Sequence, residues 1–218
     1  MEKLFIPVDF IESSEKLLEE NLDRLRGITD VGVAYTAQHR RDLPELVRVL
    51  ETSGFRVPAA SQILGCDRSG VLAGKNKLDA IIFVGSGFFH PVLLKLESSL
   101  PVYLLNPHSK SFDEVSQAEV DDYLLQRKRN LGKAAGSKVF GVLVSTKTSQ
   151  FNLETAFKIR NHLIAAKKKA YIFAADNLTP LNLDSFKVDC WINTACPRIC
   201  EDEFRKPVIG VEEFHELF

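Results

Sequence analysis

Cys66, Cys190, Cys196 and Cys200 are the four thiols of this 218-residue chain. No CxxC is present; the one close pair is Cys196-x3-Cys200, with Cys190 six residues upstream of Cys196. In a reducing compartment structural disulfides are rare, so each thiol is a buried apolar side chain, a reactive group or a metal ligand. Burial is the ordinary fate of a free cysteine, and this spacing alone does not select a metal. His39 and His90 follow strand ends, from which an imidazole can touch a ligand or move a proton, although such histidines commonly sit on the surface or satisfied in a core. Gln38 can hydrogen-bond a ligand or cap the segment from Arg40 onward. Gly85-Ser86-Gly87 lets a ligand approach the backbone at a strand end, or simply makes a tight strand-to-helix turn. Arg198 can pair with a carboxylate or open a surface helix.

Positioning these groups falls to strand-length apolar runs that alternate with segments of helical period. The pattern predicts strands over 4–10, 31–36, 55–60, 80–84 and 102–105, then over 139–145, 170–174, 191–194 and 208–211. It predicts a helix over 15–25, capped by Ser13 or Ser14, with Leu17, Leu18, Leu22 and Leu25 on one face. A second helix covers 43–52, with Leu43, Leu46, Val47 and Leu50 inward and Gly54 as its stop. Longer helices cover about 115–133, ending near Gly136, and 153–166. The unbroken apolar run over 80–84 suits a strand covered on both faces. Alternation of this kind implies an α/β fold with parallel sheets and right-handed crossovers.

The two halves resemble each other. Gly32-Val33 leads to Asp79-Ala80-Ile81-Ile82-Phe83 after 47 residues, and Gly141-Val142 leads to Asp189-Cys190-Trp191-Ile192-Asn193 after 48, counted from glycine to aspartate. A repeat of about 109 residues implies paired domains and no solenoid. Carried across that offset, Cys66 falls at Ala175-Asp176 and Cys196 at Ser86. Both cysteines therefore lie just past carboxyl ends of parallel strands, where open α/β sheets hold ligands, and neither is a copy of the other. Two thiolates can share a soft metal or an iron–sulfur cluster, but three or four protein ligands are usual for a cluster. The third comes from Cys200, from Cys190 or from a partner chain.

Charge and hydropathy remove other classes. Lys and Arg number 28 against 29 Asp and Glu, a net charge of −1, so no positive field drives non-specific nucleic-acid binding. No apolar run approaches the roughly 20 residues of a membrane span, and the N-terminus lacks a signal-peptide layout. These features lead to the expectation of a cytoplasmic protein with no membrane and no direct nucleic-acid partner. The basic runs Arg127-Lys128-Arg129 and Lys167-Lys168-Lys169 read as solvated faces.

Gln62-Ile63-Leu64-Gly65-Cys66-Asp67, Val84-Gly85-Ser86-Gly87-Phe88-Phe89-His90-Pro91 and Asn193-Thr194-Ala195-Cys196-Pro197-Arg198-Ile199 resemble three signatures of the diphthamide-biosynthesis family, and Thr36-Ala37-Gln38-His39 resembles a fourth. The resemblance covers about 30–215 and implies non-classical radical S-adenosylmethionine (SAM) chemistry. In that family three similar α/β domains each give one cysteine to a central [4Fe–4S] cluster. SAM is cleaved to a 3-amino-3-carboxypropyl radical, which is transferred to a histidine of elongation factor 2. Members work as homodimers or as pairs of related subunits.

On this resemblance Cys66 and Cys196 are the metal ligands of the family's second and third domains. Gln38, His39, Gly85, Ser86, Gly87, His90 and Arg198 become the candidate cofactor contacts. The implied organisation is a remnant strand and linking helix over 1–30, a first α/β domain over 31–134 and a second over 135–218. The expected assembly is a homodimer, or a pair with a related subunit that supplies the family's first domain and its cysteine. Two departures fall in loops expected near SAM. The family's glycine-rich segment reads Ser145-Thr146-Lys147-Thr148-Ser149-Gln150-Phe151-Asn152, and Phe88 stands where a basic residue is common. The alternative is a non-catalytic accessory or scaffold subunit without a complete cluster site.

Overall fold

The computed structural model describes residues 8–11 and 14–218. In chain order the elements are α1 (Glu15–Glu19), β1 (Asp30–Tyr35), α2 (Leu43–Thr52), β2 (Arg56–Gln62), α3 (Ser69–Leu72), β3 (Ala80–Val84), α4 (Phe89–Ser98), β4 (Val102–Asn106), β5 (Ser111–Glu114) and α5 (Gln117–Ala135). They continue with β6 (Val139–Ser145), α6 (Leu153–Ala165), β7 (Lys169–Ala175), α7 (Pro180–Leu183), β8 (Cys190–Asn193), β9 (Val208–Gly210) and α8 (Val211–Leu217). The chain divides into two compact units, Met1–Asp121 and Asp122–Phe218, and α5 runs from the first into the second.

Each unit is an α/β layer. The first sheet has the order β2-β1-β3-β4-β5, parallel except for β5; the second is all parallel, β7-β6-β8-β9. The predicted parallel α/β class is therefore what forms, and the inner strand orders coincide. The central strands are apolar throughout because both faces are covered. Phe140, Val142 and Val144 of β6 pack into one core with Ile159, Leu163 and Phe214, while Leu143 packs on the other face with Trp191, Leu178 and Val208.

The repeat extends to single hydrogen bonds. Asp79 Oδ2 accepts the amides of Thr29 and Asp30 at 2.9 Å each, and Asp189 Oδ2 accepts those of Lys138 and Val139 at 2.9 Å each. Each aspartate thus ties the start of its unit's central strand to the residue before its neighbour. These backbone bonds hold both carboxyls below the ordinary aspartate range. Register agrees as well: Gly32 pairs with Ile81, and Gly141 with Trp191.

Some expectations change. Most of the strand expected over 4–10 lies outside the described residues; 8–10 form no strand, and the Phe10 amide donates to the Gln38 carbonyl at 2.8 Å. Ser13 is likewise outside them, and Ser14 makes no capping bond, its hydroxyl donating instead to Asp42 Oδ2 at 3.0 Å. The helix expected over 15–25 breaks into α1 and a 3-10 turn, Leu22–Leu25. Asn21 stands at the break with φ −122°, and its amide donates back to the Leu17 carbonyl at 2.8 Å, the competition for backbone groups typical of asparagine. On α2 Leu46 and Leu50 are buried as expected, but the buried valine is Val49, while Val47 is only partly covered. Val211 begins α8 and does not extend β9. β5, whose sequence is Ser-Phe-Asp-Glu with only Phe112 buried, carried no apolar alternation to announce it.

Helix α4 ends on Ser99, which adopts φ +62° while its amide donates to the Lys95 carbonyl. A side chain in this left-handed conformation costs about 1 kcal/mol relative to glycine. S99G is therefore expected to raise stability by about 0.5–1 kcal/mol, read as a higher urea midpoint at unchanged slope.

Candidate functional site

The carboxyl edge of the first sheet collects most of the candidate groups. β2 ends at Gln62, and Ile63 continues beside β1 through its amide to the Tyr35 carbonyl at 2.8 Å. The chain then reverses at Gly65-Cys66, closed by the Asp67 amide donating to the Leu64 carbonyl at 3.0 Å. Gly65 takes φ +60°, which glycine at the first central position of such a turn accepts without strain. Cys66 thereby sits partly exposed at a turn tip. Behind it Asp67 accepts the Ser69 amide at 2.9 Å, and bonds from the Ser69 hydroxyl and amide hold its carboxyl below the usual range. Arg68 grips Glu97 through two bonds of 3.2 and 2.5 Å, which ties the turn to α4.

β1 leads into Thr36-Ala37-Gln38-His39. Gln38 is exposed, whereas His39 is 2% exposed. His39 Nδ1 lies 3.4 Å from Asp42 Oδ2, and its ring packs edge-on to Phe10 and His108. Burial pushes its pKa below the usual value; Asp42 raises it and His108 lowers it. Beyond β3, Gly85 is buried and Ser86 and Gly87 are exposed. A Cβ on Gly85 would lie 3.0 Å from the Phe83 ring and 3.2 Å from Thr36 Cγ2, and Gly87 takes φ +77°. Packing and turn geometry account for both glycines and leave Ser86 presented between them. His90, in the first turn of α4, is half-buried against the rings of Phe83 and Phe89. The groups read from sequence as cofactor contacts in this unit thus follow three neighbouring strands, together with Cys66.

The second unit presents Cys196 on the loop after β8. Cys196 precedes Pro197, which favours extended backbone before it, and it takes φ −67°, ψ 124° at the mouth of the 3-10 turn Pro197–Glu201. Its thiol is partly exposed. Arg198 on the same turn is exposed, with its guanidinium 3.8 Å from Asp202. Cys190 is fully buried and its Sγ faces the Trp191 carbonyl at 3.4 Å, so it is core. Cys200 is half-buried against the core that holds Leu143, Trp191 and Val208, its Sγ accepts from Asn193 Nδ2 at 3.5 Å, and burial pushes its thiol up to about 12. Its contact with the core and the bond from Asn193 favour packing over ligation for Cys200. The basic runs are not wholly solvated faces as expected. Arg127 reaches Glu213 through Nε at 2.5 Å, and Lys168 Nζ donates to the Ser137 carbonyl at 2.8 Å.

Sequence reasoning missed two residues here. Asn193 was read as strand, yet its carboxamide bonds to the loop that follows it. Glu201 buries Oε1 without a hydrogen-bond partner. Burial raises its carboxyl to about 7 against the opposing pull of Arg198. Because the folded chain holds this proton more tightly than the unfolded one, stability falls as pH rises from about 4.5 to about 7. E201Q is expected to flatten that slope and raise stability at pH 8 by on the order of 2 kcal/mol. Melting temperatures of both proteins across pH 4–8 check this.

In donor chemistry, Cys66 and Cys196 suit a soft metal or an iron–sulfur cluster: each is a partly exposed thiol on a strand-end loop. The set is incomplete, since among the described residues no group of three or more His, Cys, Asp or Glu is placed to hold a metal ion. Among them also, no helix is long and apolar enough to cross a membrane.

Comparison with known proteins gives concordant matches. A family model described as a putative diphthamide synthesis protein matches residues 1–218. The 2-(3-amino-3-carboxypropyl)histidine synthase of Pyrococcus horikoshii is 30% identical, aligned over 98% of this chain and 65% of its own length. The crystal structure of Dph2 from P. horikoshii matches with a TM-score of 0.82 at 29% identity, over 94% of this chain and 62% of that one. The structure of the same protein with a 4Fe-4S cluster gives 0.80, at the same identity and coverage. This chain therefore spans under two thirds of the length of these relatives.

Proposed function

Since the chain belongs to the diphthamide synthesis family, we propose that it offers Cys66 and Cys196 as thiolate ligands to a [4Fe–4S] cluster. The reaction is transfer of a 3-amino-3-carboxypropyl group from SAM to a histidine of elongation factor 2. One observation carries the reading: Cys66 and Cys196, partly exposed on strand-end loops, lie in a fold whose solved relative, Dph2, is described with a 4Fe-4S cluster. The third thiolate comes from a related subunit bearing the remaining length of the relatives or from a cysteine of a second copy of this chain, and the assembly works in the cytoplasm.

When bound, the cluster supplies the electron that cleaves SAM and an open iron to receive it. This chain's own residues bind, orient and shield. Ser86, between Gly85 and Gly87, offers a hydroxyl and backbone amides at a strand end. Gln38 adds an exposed amide, and Arg198 a guanidinium able to grip the methionyl carboxylate in two-pronged fashion. His39 and His90, packed among aromatic rings, shape the wall of the site and help exclude water. No side chain needs to act as general acid or base.

Anaerobic reconstitution with iron and sulfide tests this, first on the chain alone and then with a second chain carrying the missing length. Charge-transfer absorption with about four irons per site, followed by SAM-dependent modification of elongation factor 2, is the expected result. Absence of iron under every condition overturns it. The incomplete ligand set among the described residues favours one second reading, an accessory subunit that holds no cluster and acts as scaffold.

A further inference from the structure

The two sheets are in register, so positions can be compared one by one. Ile81 and Trp191 oppose Gly32 and Gly141 respectively. Two residues on, the first unit has Phe83 and the second Asn193, both buried. A carboxamide in place of a phenyl ring is costly, about 1–3 kcal/mol for each unmet polar group, unless its hydrogen bonds are made. Asn193 makes them all to one loop. Its Oδ1 accepts the Ala195 amide at 2.9 Å, and its Nδ2 donates to the Cys196 carbonyl at 2.8 Å and to Cys200 Sγ at 3.5 Å. The loop after Phe83 carries Ser86 where this one carries Cys196.

We propose that Asn193 is the positioning residue of Cys196: one buried carboxamide holds the peptide that precedes Ala195 and the peptide that follows Cys196, and so fixes the direction in which the thiol is offered. The proposal deepens the reading of Cys196 as a cluster ligand and rests on it. Pro197 restricts the backbone of Cys196 from the other side, so the residue is held before any metal arrives. Such outer partners orient a ligand and commonly contribute 10–100-fold to metal affinity.

The test compares N193D with T194V in the full-length chain. N193D keeps the acceptor for Ala195 and removes both donations. T194V removes the neighbouring Thr194 Oγ1 bond to the Leu143 carbonyl, 2.7 Å, which does not touch the loop. In metal-free protein, alkylation of each cysteine by iodoacetamide is followed by peptide mass spectrometry. N193D is expected to speed Cys196 at least about fivefold through local opening, with Cys66 unchanged and T194V within about twofold of the parent. After iron and sulfide reconstitution, N193D is expected to bind iron about 10–100-fold more weakly. Equal effects of the two variants on Cys196, or iron binding untouched by N193D, overturn the clamp. A Cys196 response in N193D alone, with no iron bound by the unaltered chain either by itself or together with the second chain, upholds the clamp and overturns the cluster reading. Should N193D fail to fold, amide exchange at Ala195 in the unaltered chain decides. Strong protection supports the clamp, and exchange at the rate of a free peptide overturns it.

Discussion

C66S and C196S each abolish iron uptake by the reconstituted assembly, whereas C200S leaves it intact: this is the expected outcome of the thiol environments described above. Cys66 rides a turn tip formed by Gly65, and Cys196 opens a 3-10 turn fixed by Pro197; both thiols reach solvent. Cys200, also half-buried, lies against the core that holds Leu143 and Trp191, and its Sγ is already engaged by Asn193 Nδ2 at 3.5 Å. Serine removes the soft donor and keeps the volume, so the loss should exceed the roughly 10–100-fold typical of an outer-shell partner. Iron content and visible absorption, measured on protein with parental circular dichroism, provide the check. C190S belongs to another class. It places a hydroxyl in a fully buried core position, so it should lower stability and spare iron binding in whatever folds. Retention of iron by C66S or C196S at the parental level sinks the ligand assignment.

G141A should unfold the second unit. A Cβ at Gly141 would lie 2.1 and 2.3 Å from two ring carbons of Trp191 and 3.1 Å from Phe173. Trp191 has no room to retreat, being fully buried with its ring centroid 4.9 Å from that of Phe173 and 6.4 Å from that of Phe186. Overpacking usually costs 1–3 kcal/mol; a rigid indole against backbone should bring this to about 4 kcal/mol or more. The matching change G32A meets Leu78 Cδ1 at 2.6 Å and Val71 Cγ2 at 3.0 Å, side-chain tips that can turn aside, so about 1–2 kcal/mol is expected. Trp191 is the chain's single tryptophan, so its emission during urea unfolding reports the second unit directly. A parental midpoint for G141A would refute the packing account.

The parts legible in sequence were those where burial alone sets the pattern. β1, β3, β6 and β8 are runs covered on both faces, and α2 matched its expected limits at both ends because its apolar stripe stops at Gly54. Periodicity did not reveal Asn21, whose amide turns back on the helix, nor β5, which pairs at an edge and buries one residue. The motif segments do follow strand ends. They carried no information about tertiary neighbours: that His39 is walled in by Phe10 and His108, that Arg127 is taken by Glu213, or that Gly85 leaves room for Phe83. Asn193 was visible all along as an amide ending an apolar strand, but its meaning needed the loop it grips.

Asp79 and Asp189 anchor their sheets at the strand starts, the rim opposite Cys66 and Cys196. Structural integrity and chemical novelty are thereby assigned to opposite ends of each half. Each unit therefore carries a partly exposed thiol on a different strand-end loop without disturbing the shared anchor. A designer inherits the same licence: a thiol-bearing hairpin transplanted to the vacant strand tip of the other copy should leave the melting curve nearly untouched.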